Sequence, residues 1–332
     1  MLRSLTTAVA ACILLLPLTA MSSEVVVYSA RNEQLIKPLF DRYTEKTGVT
    51  VRYITDKAGP LLQRLEAEGR RTPADMLITV DAGNLWHAAE NGVLAEINSP
   101  ILAANVPPNL RDPQGRWFGL SERARTLVYS TERVQPQDLS TYEDLADPKW
   151  RGRLCLRTSK KVYNQSLVAT LIARLGEERA EQIVRGWVEN LAVAPFSNDT
   201  KAMQAVAAGQ CDVTIVNTYY FGRLQKQQPD TKLGIFWPNQ ESSGVHINVS
   251  GAGVTRYAKH PEAAQALLEW LTSEAAQADF AGLNMEYPVN PKVTPDATVS
   301  AWGQFKADTL NVNEAGRLQS AAIRLMDRAG YR

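Results

Sequence analysis

Val25-Val26-Val27-Tyr28-Ser29-Ala30-Arg31-Asn32-Glu33-Gln34-Leu35-Ile36 is the stretch that decides the fold. Its first four residues are an unbroken apolar run, the pattern of a strand covered on both faces of a parallel sheet. Leu35, Ile36, Leu39, Phe40 and Tyr43 then recur on one face at helical spacing. Pro38 suits such a helix only near its first turn, and Gly48 supplies a stop. Working outward, residues 49–54 read as the next strand, 61–68 as a helix, 75–79 as a third strand and 83–91 as a further helix. This alternation predicts a three-layer α/β lobe.

A Pro-rich, less regular stretch follows, with Pro100, Pro107, Pro108 and Pro113. The alternation then resumes. Strands are predicted over 126–130, 154–157, 213–216, 233–237 and 246–250, and helices over 166–175, 178–191, 202–208, 261–280 and 317–329. No internal repeat, low-complexity segment or long linker separates the parts. Two α/β lobes with no flexible linker imply that the chain crosses between them more than once. The default ligand site is then the cleft between lobes. Domain interfaces and the carboxyl ends of strands are where open α/β sheets bind ligands.

The chain has 332 residues, enough for two domains. It carries 36 Lys+Arg against 35 Asp+Glu, so nothing in its charge calls for nucleic acid or an anionic membrane as partner. Residues 1–22 read as a secretory signal peptide: Arg3 is the positive region, residues 8–18 the short apolar region, and small residues follow. The expected mature protein is exported and soluble. Export changes the meaning of its cysteines. Cys155 and Cys211 both fall at or beside predicted strands, and an even pair in an oxidising compartment favours one disulfide over two buried thiols.

Motifs of enzymatic chemistry are mostly missing. The sequence has no G-x-S-x-G, Walker A, H-E-x-x-H or C-x-x-C. Gly251-Ala252-Gly253 reads as a tight turn. With only His87, His246 and His260 present, neither a multi-histidine metal site nor a nucleophile–base pair can be assembled convincingly. The distinctive segment is Asn217-Thr218-Tyr219-Tyr220-Phe221, just after a predicted strand. Within a regular strand adjacent tyrosines would point to opposite faces; at a strand end both could turn into a cleft. Packing at a core or interface is the ordinary alternative. Tyr163 precedes a predicted helix and has the same two readings. Arg31 follows the first strand at a helix start, where backbone N–H groups and a guanidinium can hold an anion; a solvated arginine is its plain alternative.

Taken together, these segments resemble the periplasmic ferric-iron-binding proteins of bacterial ABC importers. The resemblance spans essentially the whole mature chain. It is carried by Tyr28-Ser29-Ala30-Arg31, by residues 73–85 (Pro73-Ala74-Asp75-Met76-Leu77-Ile78-Thr79-Val80-Asp81-Ala82-Gly83-Asn84-Leu85), and by Leu120-Ser121-Glu122-Arg123-Ala124-Arg125. Tyr163-Asn164-Gln165-Ser166, Asn217-Thr218-Tyr219-Tyr220, Ser250-Gly251-Ala252-Gly253-Val254 and Glu286-Tyr287-Pro288 extend it in the same order. The resemblance implies a type II-like, two-lobed α/β fold, each lobe a mixed sheet flanked by helices. It implies Tyr219 and Tyr220 as Fe(III) ligands through phenolate oxygens, with Tyr163 as a third. A hard trivalent cation favours anionic oxygen and drives loss of the phenol proton. Three phenolates offset its charge.

Three departures bear on the site. Some relatives place a histidine ligand where this chain has Asn32, some of those a tyrosine where it has Glu33, and others a glutamate where Val80 aligns. Members without the histidine complete the coordination with water or a small anion such as carbonate. Arg31 is the first candidate to hold that anion, with Asn32, Arg123 and Arg125 as further anion-binding or supporting residues. Glu33 as a carboxylate ligand is the alternative. The expected lobes are residues 23–125 plus about 251–299, and 126–250 plus about 300–332, with crossings near 126–130 and 247–250. The resulting expectation is a monomeric periplasmic protein, not an enzyme. It captures Fe(III) with carbonate, bicarbonate or another small anion and passes it to an ABC permease and its ATPase. A binder of phosphonate, sulfate, thiamine or polyamine on the same fold is the nearer rival, and an exported α/β enzyme the more distant one.

Overall fold

The computed structural model describes residues 24–332; the predicted signal peptide lies outside the described residues. The predicted alternation is present in β1 (Glu24–Ser29), α1 (Glu33–Thr47), β2 (Thr50–Thr55), α2 (Ala58–Glu68), β3 (Met76–Val80) and α3 (Ala82–Glu90). Gly48 ends α1 at φ 74°, its N–H donating to the Thr44 carbonyl. Pro38 lies inside α1 rather than in its first turn, on the exposed side of the helix, while Ile36, Leu39, Phe40 and Tyr43 face the core. The Pro-rich stretch holds a short helix, α4 (Pro100–Asn105), started by Ser99, whose hydroxyl accepts from the Leu102 N–H at 3.2 Å.

The second half contributes β4 (Phe118–Ser130), β5 (Leu154–Cys155), α5 (Val162–Leu175), α6 (Glu177–Glu189), α7 (Asp199–Ala207), β6 (Val213–Asn217), α8 (Thr218–Gln227) and β7 (Leu233–Phe236). It closes with β8 (Ile247–Val254), α9 (Pro261–Leu271), α10 (Glu274–Gly282), β9 (Tyr287–Pro288), α11 (Ala297–Ser300), α12 (Glu314–Arg317) and α13 (Gln319–Arg328). The single helix predicted over 261–280 is two. At the break the hydroxyls of Thr272 and Ser273 donate back to the carbonyls of Glu269 and Trp270 at 2.9 and 2.7 Å.

β4 organises the molecule. Its 13 residues change partners midway. Phe118 to Ala124 pair antiparallel with β8, which continues through β3 into the parallel β1 and β2. Arg125 to Tyr129 pair antiparallel with β6, which is parallel to β5, while β7 takes the other edge. One strand therefore belongs to two sheets. Only its second half was predicted.

The buried apolar side chains fall into one large cluster on the β1–β3 side and two clusters on the β5–β7 side. These are the cores of a first and a second lobe. Val245, Ile247 and Val249 already pack in the first core, so the chain returns to that lobe before the expected residue 251. Val312 also packs there, beyond the expected exit near 300, and Ala322, Leu325 and Met326 pack in the second. Tyr142 pins the crossing: its hydroxyl donates to the Arg125 carbonyl and accepts from the His246 N–H at 3.1 Å. The Arg125 N–H donates to the His246 carbonyl at 2.9 Å.

The expected bridge is present. Cys155 and Cys211 form a disulfide with Cα atoms 5.9 Å apart, tying β5 to the turn before β6 inside the second lobe.

Candidate metal centre

Two helix starts in the second lobe carry the tyrosines. β6 runs into α8 without a loop, which puts Tyr219 and Tyr220 in the first turn of that helix. Tyr163 sits in the first turn of α5. Neither helix has a side-chain cap, so the positive ends of both open onto the same space. The Tyr219 and Tyr220 rings lie 4.4 Å apart and tilted by 36°. The Tyr163 and Tyr219 phenols line the same cavity. The Asn217 amide donates to the Tyr219 hydroxyl at 3.3 Å. Sequence reasoning brought these three tyrosines together, and the structure does the same.

Cations surround them. The guanidinium carbons of Arg123 and Arg157 lie 5.3 and 5.4 Å from the Tyr163 ring centre, and the Lys161 ammonium lies 5.1 Å from it. Arg223 stands 5.2 Å from Tyr219 and 5.9 Å from Tyr220. Burial raises the Tyr163 phenol above its ordinary range, opposed by the charge of Arg123. Burial raises Tyr219 further, and the neighbouring phenols add to the effect. Both are therefore neutral at pH 7 without a metal, and a bound cation must expel their protons. Burial and then Arg157 lower the Lys161 ammonium.

Arg125 does not reach the cleft. It is buried, donating to Asp199 and Asn217 at 3.1 Å each and also to Asn164. Asn164 follows Tyr163 and Asn217 precedes α8, so Arg125 locks the two tyrosine-bearing helix starts to each other. It is a support rather than an anion ligand. Asp199, at the start of α7, completes this lock by also taking Arg157 at 3.2 Å. Sequence reasoning missed Arg157, Lys161, Asp199 and Arg223. Only Arg223 had a readable signal, its place one turn beyond Tyr219 on the same helix face.

The first lobe faces the tyrosines across a cavity of about 260 Å³. Arg31, Asn32, Lys57, Val80 and Asn84 form part of that wall. Arg31 is 4% exposed. One edge of its guanidinium is fixed: Nη1 donates to Ser250 at 2.8 Å and to Glu286 at 3.1 Å. Its Nε and Nη2 are buried with no partner. A buried donor pair without a partner is costly, and this one has the fork geometry that grips a carboxylate or carbonate. Arg123 also lines the cleft, with its Nη2 unpaired and 3.7 Å from Asp81.

Glu33 is corrected. It is exposed at the start of α1, accepts from the Tyr53 hydroxyl at 2.9 Å, and is not part of the cleft wall. Val80 lines the cleft and offers no donor. Asp81 beside it is buried and faces inward, accepting from Ser166 of α5 at 2.7 Å and Asn248 at 3.0 Å. It thereby joins the first lobe to the helix of Tyr163. Among the described residues, no group of three or more His, Cys, Asp or Glu could hold a metal ion. His246 is buried behind the cleft, 3.0 Å from Thr170, and burial pulls its pKa down to about 3. Among the described residues, the three phenols and the Glu286 carboxylate are the acidic groups that line the cleft.

A two-lobed α/β chain with a polar cleft between the lobes is the architecture of a solute-binding protein. The chain belongs to the bacterial extracellular solute-binding protein family, whose pattern matches residues 38–307. It is 44% identical to iron uptake protein A1 of Synechocystis sp. over 93% of this chain and 88% of that protein. It is 25% identical to the major ferric iron-binding protein of Neisseria meningitidis, over 93% and 94% of the two chains. The solved structure of Trichodesmium FutA (IdiA), described as in complex with iron and citrate, superposes with a TM-score of 0.91 at 43% identity, covering 93% of this chain and all of that one.

Proposed function

We propose that this protein captures Fe(III) between its lobes through the phenolates of Tyr163, Tyr219 and Tyr220 and delivers it, in the periplasm, to an ABC permease and its ATPase. The observation that carries this reading is the convergence of three tyrosines from two helix starts in a cleft whose one carboxylate among the described residues, Glu286, is already engaged by Arg31. Relatives named for iron uptake and ferric-iron binding support the choice of cargo. Iron(III) is a hard cation, and three phenolates make its centre neutral.

The rest of the coordination falls to a small anion. Five cationic side chains but one carboxylate line the cleft, and that carboxylate, Glu286, is engaged by Arg31. A neutral ferric–phenolate centre leaves this positive excess uncompensated. Carbonate, or a carboxylate of a molecule such as the citrate described for the Trichodesmium protein, fits the free edge of Arg31. The tyrosines stand on the second lobe and Arg31 on the first. Metal loads on the open second lobe, and the anion with Arg31 completes closure.

Visible absorption tests this. Metal-stripped protein titrated with a chelated ferric salt should develop an orange-to-red phenolate charge-transfer band that saturates at one iron per chain. The band should weaken and shift in each of Tyr163→Phe, Tyr219→Phe and Tyr220→Phe. A colourless protein with and without bicarbonate would refute the tyrosine site.

A further inference from the structure

One short segment of the first lobe touches both halves of the site. After α10 ends at Gly282 the chain folds back over the cleft. Met285 takes φ 55°, and its sulfur would lie 2.6 Å from a Cβ on Gly222, so α8 and this segment are in close contact. Its two neighbours, Asn284 and Glu286, both line the cleft. The Asn284 carbonyl oxygen accepts from Arg223, the cation over Tyr219 and Tyr220. The Asn284 amide donates to Glu286 at 2.5 Å. Glu286 in turn accepts from Nη1 of Arg31 at 3.1 Å. Asn284 and Glu286 are 6% and 3% exposed. The partners fix which way the amide points: oxygen to the guanidinium, N–H to the carboxylate. An unbroken line of side-chain hydrogen bonds therefore runs from the tyrosine pair's cation to the arginine with the free edge.

We infer that Asn284 is a positioning residue that couples occupation of the anion subsite on Arg31 to the tyrosine donors of the other lobe. The inference rests on the ferric reading above, including its anion. The Arg223–Asn284 bond spans the two lobes, so it favours the closed state. An anion that completes Arg31 firms the Arg31–Glu286–Asn284 line and strengthens that bond. By linkage, anion and metal then raise each other's affinity by the same factor. Asn284 lines the cleft and acts through Arg223 and Glu286.

The test measures ferric affinity by competition with a hydroxamate chelator, with and without bicarbonate, in the wild-type protein, Arg31→Ala, Asn284→Ala and Asn284→Leu. The leucine variant keeps the volume and removes the polar atoms, so either folded variant suffices. Melting curves verify folding. The expected result is a wild-type gain with bicarbonate that falls at least about 5-fold in both Asn284 variants, the lower end of usual coupling factors, while their bicarbonate-free affinity falls by a clearly smaller factor than their affinity with bicarbonate. Arg31→Ala should lose the gain altogether. If the wild type gains and the Asn284 variants gain equally, the coupling is overturned while the anion reading stands. An equal drop in affinity with and without bicarbonate marks a merely structural residue and also overturns it. A wild type indifferent to bicarbonate overturns the anion reading, and the coupling with it.

Discussion

The two lobes share one α/β plan and divide the chemistry unequally. The second lobe holds the three phenols, the buried Arg125–Asp199–Arg157 lock beneath them and the disulfide. Among the described residues, the first lobe presents no phenol or free carboxylate to the cleft; it offers Arg31, with one edge fixed and one edge unpaired. On the function proposed above, the difference teaches that one lobe would hold the cation and the other the charge that accompanies it. A pre-assembled donor set on one lobe needs no closure to begin binding. The rigid lock behind it keeps the order of the set from depending on the partner lobe.

The sharpest way to break this asymmetry is to remove the second lobe's donors. Tyr219→Phe with Tyr220→Phe should abolish the charge-transfer band. Uncovering a buried charge costs about 3–5 kcal/mol, so affinity should fall at least about 100-fold, as read by chelator competition. Next comes the bridge, which braces only that lobe. Its cysteines are 56 residues apart, and by loop-closure entropy Cys155→Ala with Cys211→Ala should lose about 4 kcal/mol of stability. Denaturant melts should show this, with ferric binding retained at low temperature.

Arg31→Ala tests the first lobe. A hydrogen bond to a charged group contributes about 1.5–3 kcal/mol, so ferric affinity with bicarbonate should fall about 10- to 100-fold and the bicarbonate-free value should hold. His246 lies between the lobes. Folded, its pKa is about 3; unfolded, the ordinary value is 6.5. The unfolded chain therefore takes up the proton first, and stability present above pH 6.5 is lost as pH falls towards 3. At pH 5 the loss should be roughly 2 kcal/mol, and His246→Gln should flatten that limb in melts across pH. The smallest effect belongs to Glu33→Gln, whose ferric affinity should stay within about twofold of wild type because the carboxylate faces Tyr53 and solvent.

How far the sequence could be read follows the same physics. The β1–α1–β2 unit was legible because its apolar periodicity is unbroken and Gly48 marks a left-handed cap. Cys155 and Cys211 were legible from compartment and parity. The first half of β4 was hidden because Ser121-Glu122-Arg123-Ala124-Arg125 looks like a solvated loop; its arginines are buried in cleft and lock instead. Tyr163, Tyr219 and Tyr220 were found through a resemblance, since no spacing rule places two helix starts side by side. The cations around them come from three separate segments, holding Arg123, Arg157 with Lys161, and Arg223, and tertiary packing brings the three together. Glu33 shows the converse: a sequence neighbour of Arg31 that the first turn of α1 carries away from the cleft.

The division of labour is tested most directly by a crystal structure of the ferric-loaded protein with the iron located by its anomalous signal. The account predicts one iron bonded to the oxygens of Tyr163, Tyr219 and Tyr220, with an anion on Nε and Nη2 of Arg31 filling the remaining positions. An iron bonded to Glu33 or to any other first-lobe side chain, or one that leaves two of the three phenols unbound, would contradict it.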